Sequence, residues 1–159
     1  SRPRITKENH MDITVLYGTE SGNSELIAQD LNDKLAEEGH TSEVFDLQDF
    51  EPSSFTGDRF YIVVCSTHGE GELPNTAQPF YEKFAEFDAD LSDVRYAMFG
   101  LGDTFYEETY SQGSEIIDRR LAELGATRVG EYGRHDASSW DLPSDVALEW
   151  LPGVIEAAQ

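Results

Sequence analysis

Short, almost unbroken apolar runs alternate along this chain with longer stretches in which apolar residues recur every three or four positions. The first pattern suits a strand buried on both faces, and the second a helix with one apolar stripe. Strands are predicted at about Ile13 to Tyr17, Ser42 to Leu47, Phe60 to Cys65, Tyr96 to Phe99 and Thr127 to Tyr132. A first helix is predicted from near Asn23 to about Glu38, ended by Gly39. A second begins near Thr76 and presents Phe80, Phe84 and Phe87, and a third carries Ile117, Leu121 and Leu124 and stops at Gly125. The last, from about Ser144, has Ala147, Trp150, Leu151, Val154 and Ile155 at helical spacing. Pro152 lies inside it, and a proline removes one hydrogen bond and clashes one turn back, so the terminal turn is expected to kink or be lost. Glu51 to Ser54 reads as an irregular stretch in place of a helix. Regular strand–helix alternation predicts an α/β fold, with a doubly wound five-stranded parallel sheet, right-handed crossovers and helices on both faces.

The polar segments after three of these strands carry the candidate chemistry. After the first strand comes Tyr17-Gly18-Thr19-Glu20-Ser21-Gly22-Asn23-Ser24. This turn offers hydroxyls from Thr19, Ser21 and Ser24, the Asn23 amide, and backbone N–H groups at a helix start, where the macrodipole places about half a positive charge. Such a turn binds phosphate. It holds no Lys or Arg and lacks the Gly-Lys-Ser/Thr ending of a nucleoside triphosphate loop, so it suits a terminal phosphate held by hydrogen bonds alone. A strand-to-helix turn that merely caps its helix with Ser, Thr or Asn is the plainer reading of this loop by itself. The other two loops are Ser66-Thr67-His68-Gly69-Glu70-Gly71-Glu72-Leu73-Pro74-Asn75 and Gly100-Leu101-Gly102-Asp103-Thr104-Phe105-Tyr106. In an open α/β sheet, ligands sit at the carboxyl ends of the strands where strand order reverses, so three such loops converge on one crevice.

These three motifs, in this order and each after a strand, resemble the flavodoxin family. They are similar to the FMN domain of diflavin reductases and to short stand-alone flavodoxins of the MioC type, over about 140 residues. The resemblance implies strand order 2-1-3-4-5 and FMN as cofactor. It places Thr19, Glu20, Ser21, Gly22, Asn23 and Ser24 at the phosphate, and Ser66, Thr67, His68, Gly69, Glu70 and Gly71 along the ring. It adds Gly100, Leu101, Gly102, Asp103, Phe105 and Tyr106 on the ring's other side, with Tyr106 as the aromatic cover of the outer face. His68 stands where diflavin relatives often carry Tyr on the inner face, and Asp103 orders its own loop. The chain departs from the family where Thr109 replaces Phe, Tyr110 replaces Cys or Asn, and Ser114 replaces Lys. No strand-interrupting insertion of some twenty residues is present, which is the short-chain form of the family.

Length and charge narrow the classes further. The 159 residues suit one domain. Residues 1–10 lack periodicity and hold three basic residues, so they read as a tag or vector-derived tail, leaving residues 11–159 as one FMN-binding domain. The chain has 11 basic and 32 acidic residues, a net charge of −21, which argues against nucleic acid or anionic membrane as partner. No run approaches the ~20 apolar residues of a membrane span. The acidic surface suits either a basic partner or a generic role in solubility and salt tolerance. Cys65, the single cysteine, lies in an apolar run and reads as a buried thiol in a cytoplasmic protein, without catalytic or metal-binding residues. The leading function is a monomeric carrier passing single electrons from a basic-surfaced, NAD(P)H-dependent reductase of the flavodoxin/ferredoxin-NADP type to an acceptor enzyme. An FMN-dependent NAD(P)H:quinone reductase is the alternative. A signalling receiver needs paired acids after the first strand and a phospho-accepting Asp after the third, where this chain has Gly-Thr-Glu-Ser-Gly and Ser-Thr-His.

Overall fold

The computed structural model describes residues 10–19, 22–67, 73–102 and 112–159. Its strands β1 (Asp12–Gly18), β2 (Thr41–Asp46), β3 (Phe60–Ser66), β4 (Arg95–Gly102), β5 (Thr127–Arg128) and β6 (Gly133–Asp136) pair in parallel throughout. The order is β2-β1-β3-β4-β5, with β6 also on β4. Helices α1 (Asn23–Glu37) and α4 (Pro143–Ala158) cover one face; α2 (Gln78–Glu86) and α3 (Gln112–Glu123) cover the other. β1, β3 and β4 are therefore buried on both sides, which is why their sequences read as nearly unbroken apolar runs.

One core joins Ile13, Val15, Ile62, Val64 and Phe99 to Ile27, Leu31 and Leu35 of α1 and to Leu151 and Val154 of α4. The other joins Leu16, Tyr61, Val63 and Met98 to Phe80 and Phe84 of α2 and to Ile117 and Leu121 of α3. Where the sequence shows no second helix, two short 3₁₀ turns, Leu47–Asp49 and Pro52–Ser54, bring Phe50 and Phe55 over Tyr61 and Phe80. Cys65 is fully buried in β3, and burial pushes its thiol far above the usual range, so it packs as a small apolar residue. His10, at the end of the expected tail, lies against the α1–β2 turn. Its Nδ1 stands 2.9 Å from the Gly39 carbonyl and its Nε2 3.0 Å from the Thr41 hydroxyl.

Three expectations are corrected. Of the strand expected at Thr127 to Tyr132 only Thr127–Arg128 forms, as β5, and the ladder resumes beyond it as β6. Between Tyr96↔Arg128 and Phe99↔Gly133 the outer chain advances five residues while β4 advances three, so two residues must leave the ladder. Gly130, at φ 78°, takes up the bend, and a Cβ on Gly133 would stand 2.4 Å from Phe99 and 2.8 Å from Trp150. β4 also runs on to Gly102, so Gly100 and Leu101 are strand residues, with Leu101 inside the core. Finally, α4 continues through Pro152 to Ala158. The lost hydrogen bond costs about 3 kcal/mol in a helix interior, whereas each fully buried Val, Leu or Ile contributes about 1.5 to 3 kcal/mol. Pro152 sits on the exposed side while Leu151, Val154 and Ile155 anchor the other, and Arg95 Nη1 donates to the Ala158 carbonyl at 2.9 Å.

Candidate functional site

The register aligns the carboxyl ends of the strands along one edge. Gly18 of β1 lies beside Cys65 of β3, Ser66 beside Leu101 of β4, and Gly102 beside Asp136 of β6. Three of the segments read as functional from the sequence leave from this edge.

The segment after β1 is held from below. Thr19, 8% exposed, donates its N–H to Thr76 Oγ1 at 2.8 Å and accepts at its carbonyl from Thr76 N–H at 3.3 Å. Its own Oγ1 accepts the Gly22 N–H at 2.7 Å, tying the two ends of the turn together. Thr76 also acts on the Asp46 carboxylate at the end of β2, favouring its charged form, and the same carboxylate accepts the Gln48 N–H at 3.1 Å and Gln48 Nε2 at 3.3 Å. A carboxylate only accepts, so a Thr76 hydroxyl turned toward Asp46 keeps its lone pairs for the Thr19 N–H. Burial raises the Asp46 carboxyl above its ordinary range, against the opposing effect of these hydrogen bonds. Tyr17 is likewise raised, first by burial and then by Asp46 and Glu25. Contact is close: a Cβ on Gly18 would lie 2.9 Å from the Ala77 Cβ.

Above this clamp, α1 starts without a side-chain cap. Gly22 occupies the N-cap position at φ 96°, a conformation that suits glycine, and the space where its Cβ would stand is open. The first-turn N–H groups of Asn23, Ser24 and Glu25 lie beyond the reach of any intrahelical carbonyl. Ser24 Oγ is fully buried with no hydrogen-bond partner among the described residues. Donors that no intrahelical carbonyl can reach, with a hydroxyl that has no partner among the described residues, are the kind of donor set an anionic oxygen group requires.

The second and third segments are supported in a related way. Ser66 Oγ lies 3.5 Å from the Gly18 carbonyl, and Thr67 donates its N–H to the Leu101 carbonyl at 2.9 Å. Thr67 Oγ1 receives the Gly113 N–H at 2.9 Å, and a Cβ on Gly113 would stand 2.4 Å from the Ser66 carbonyl, so α3 begins pressed onto the end of β3. Ser114, fully buried, pairs its hydroxyl with that of Tyr132. At the far side the Ala137 N–H closes on the Gly102 carbonyl at 2.8 Å.

Of the sequence-predicted site residues, Thr19, Gly22, Asn23, Ser24, Ser66, Thr67, Gly100, Leu101 and Gly102 are placed at or just below this edge. Glu20, Ser21, His68, Gly69, Glu70, Gly71, Asp103, Phe105 and Tyr106 lie outside the described residues. Sequence reasoning missed Thr76, Asp46 and Gln48. Their only local signal is polarity at a helix start and a strand end, and the contact joining them spans thirty residues from Asp46 to Thr76.

A doubly wound parallel sheet with an uncapped turn after its first strand defines an open α/β protein of the class in which ligands sit where strand order reverses, here between β1 and β3. The chain belongs to the flavodoxin family, whose model matches residues 15–150. It is 34% identical to the MioC homologue of Haemophilus influenzae, over 92% of this chain and 98% of that protein. It is 36% identical to the sulfite reductase [NADPH] flavoprotein alpha-component of Bacillus subtilis, covering 97% of this chain but 24% of that larger protein. Among solved structures, a cysteine-to-alanine mutant of flavodoxin from Pseudomonas aeruginosa superposes with TM-score 0.81 at 28% identity, over 92% of this chain and 98% of that one.

Proposed function

We propose that this chain binds one FMN and carries single electrons from a basic-surfaced, NAD(P)H-dependent reductase to an acceptor enzyme. The observation that carries this reading is the clamped, uncapped turn between β1 and α1, with its buried orphan hydroxyl on Ser24. The family membership and the flavoprotein among the relatives support it.

FMN supplies reversible one-electron chemistry that no side chain of this chain provides. The chain's own residues do the remaining work. Thr19, Ser21, Asn23 and Ser24, with the first-turn N–H groups of α1, hold the phosphate without any Lys or Arg. Thr76 and Asp46 fix where Thr19 stands. The segments Ser66 to Gly71 and Gly100 to Tyr106 flank the ring, with Tyr106 covering its outer face, and exclude water from it. Glu70, Glu72, Asp103, Glu107 and Glu108 form an acidic rim that orients a basic partner.

The test is titration of the apoprotein with FMN and with riboflavin, followed by flavin fluorescence quenching. Each charge-assisted hydrogen bond to the phosphate contributes about 1.5 to 3 kcal/mol, so FMN binds at least about tenfold more tightly than riboflavin. Equal affinities remove the phosphate argument and the proposal with it.

A further inference from the structure

Four large apolar side chains stand exposed among the described residues, and three of them lie at the carboxyl edge on the α1 and α4 side. They are Leu26 in the first turns of α1, 65% exposed, Leu142 at the start of α4, 64%, and Trp140 in the loop between β6 and α4, wholly exposed. A bare tryptophan leaves most of its large apolar surface in water, which is the most expensive exposure a side chain can have.

The loop presenting Trp140 is held in place on both flanks. Asp136 accepts the Ser138 N–H at 2.9 Å and the Ser138 hydroxyl at 2.8 Å, and its carbonyl accepts the Ser139 N–H and hydroxyl. Beyond Trp140, buried His135 donates Nε2–H to the Asp141 carbonyl at 2.8 Å. Ser144 then donates to Asp30 of α1 at 2.6 Å, one helical turn from Leu26. An aromatic side chain presented from an ordered loop loses little further entropy on burial, which is the property of an interface anchor.

Charge identifies what would cover it. Residues 135–149 contain Asp136, Asp141, Asp145 and Glu149 with no Lys or Arg, and residues 18–33, 66–82 and 96–118, which form or follow the same edge, contain none either. We propose that Trp140, with Leu26 and Leu142 at the same edge, is the apolar anchor by which the redox partner docks. The partner is a protein bearing an apolar recess bordered by Lys and Arg. This rests on the carrier reading, because the anchor's loop leaves from the same carboxyl edge as the crevice assigned to the flavin.

The experiment uses the FMN-loaded protein and its Trp140→Ala and Trp140→Phe variants, reduced by a ferredoxin/flavodoxin–NADP reductase with NADPH. In Trp140→Ala the concentration for half-maximal rate rises about tenfold or more, the loss expected of a tryptophan hot spot, while the limiting rate holds. Trp140→Phe recovers most of the loss, and the salt dependence keeps its parental slope because no charge has changed. FMN affinity and the flavin spectrum stay parental in both variants. An unchanged half-maximal concentration overturns the proposal. So does an altered spectrum or FMN affinity, which makes Trp140 a flavin cover, and so does a dimer that dissociates on Trp140→Ala, which makes the occupant a second copy. A parent chain that takes up no FMN overturns the carrier reading itself, and that result appears before any variant is compared.

Discussion

Replacing Thr76 by Val keeps side-chain volume and removes one hydroxyl, so it isolates the clamp beneath the β1–α1 turn. The Thr19 N–H then loses its acceptor, and Thr19 is only 8% exposed, so water cannot replace the bond in full. An unsatisfied buried donor costs about 1 to 3 kcal/mol. Part of that cost falls on the stability of the apoprotein, and the rest falls on FMN, because the turn must be drawn back to its place on binding. With about half of it in binding, about 0.5 to 1.5 kcal/mol, FMN affinity drops about two- to tenfold. Riboflavin, which has no phosphate to seat, keeps its affinity. Thr76→Ser restores the hydroxyl and with it FMN binding. Asp46→Asn sets an amide N–H against the Gln48 donors and disturbs the same chain one step further back, with a smaller loss. Calorimetric titration of both flavins against all four proteins reads the result. Equal losses for FMN and riboflavin in Thr76→Val, or no loss for either, refute the idea that the clamp positions the phosphate turn.

Two further outcomes concern the scaffold. His40 is 5% exposed and accepts the Met11 N–H at Nδ1, and burial, then His10, lower its pKa against the opposing effect of Glu38. The folded state therefore binds fewer protons than the unfolded state, so the stability this group contributes is present above the ordinary histidine value of about 6.5 and is lost as pH falls through it to the lowered folded value. Thermal melts between neutral and mildly acid pH show this decline, and His40→Leu flattens it. Gly133→Ala places a methyl group 2.4 Å from Phe99 and 2.8 Å from Trp150, so the β6 edge must shift, at a cost of about 1 to 3 kcal/mol visible as a lowered denaturation midpoint.

The sequence carries the central strands plainly because β1, β3 and β4 are buried on both faces, and little but the buried Thr14 of β1 interrupts their apolar interiors. It carries the phosphate turn for a different reason: the chemistry of Thr19, Gly22, Asn23 and Ser24 is local and needs no fold to bring it together. β6 is hidden because its inward positions are Gly133 and His135, neither of which looks like a core residue, and His135 is buried through a hydrogen bond to a backbone carbonyl. Pro152 misleads because local propensity speaks against a helical turn that Val154 and Ile155 hold by packing. The clamp and the exposed loop are tertiary facts. Nothing near Asp46 in sequence points to Thr76, and nothing near Trp140 says that it faces water.

The placement of charge gives the carboxyl edge its direction. Among the described residues, Lys34, Lys83 and Arg120 lie in the last turns of their helices, and Arg59, Arg95 and Arg128 lie in or just before the starts of β3, β4 and β5. Helices that run back from the carboxyl edge end at the amino edge, so these cations gather at the amino end of the sheet. Arg134 is nearer the site and is bound to Glu115 at 3.1 Å. Under the proposed function, a phosphate seated at the carboxyl edge is received by helix N-termini and neutral donors within a net charge of −21, with no Lys or Arg in the turn itself to attract it. Neutral donors act over hydrogen-bond range only, so their placement must already be right when the phosphate arrives, and that is the physical reason for a turn tied to Thr76 and Asp46 from beneath. The scarcity of cations leaves the edge acidic toward solvent, so under the proposed function a basic partner is oriented toward the crevice and not toward the amino end. On the proposed function, binding the cofactor and facing the partner pull in opposite electrostatic senses, and the clamp would let one edge do both.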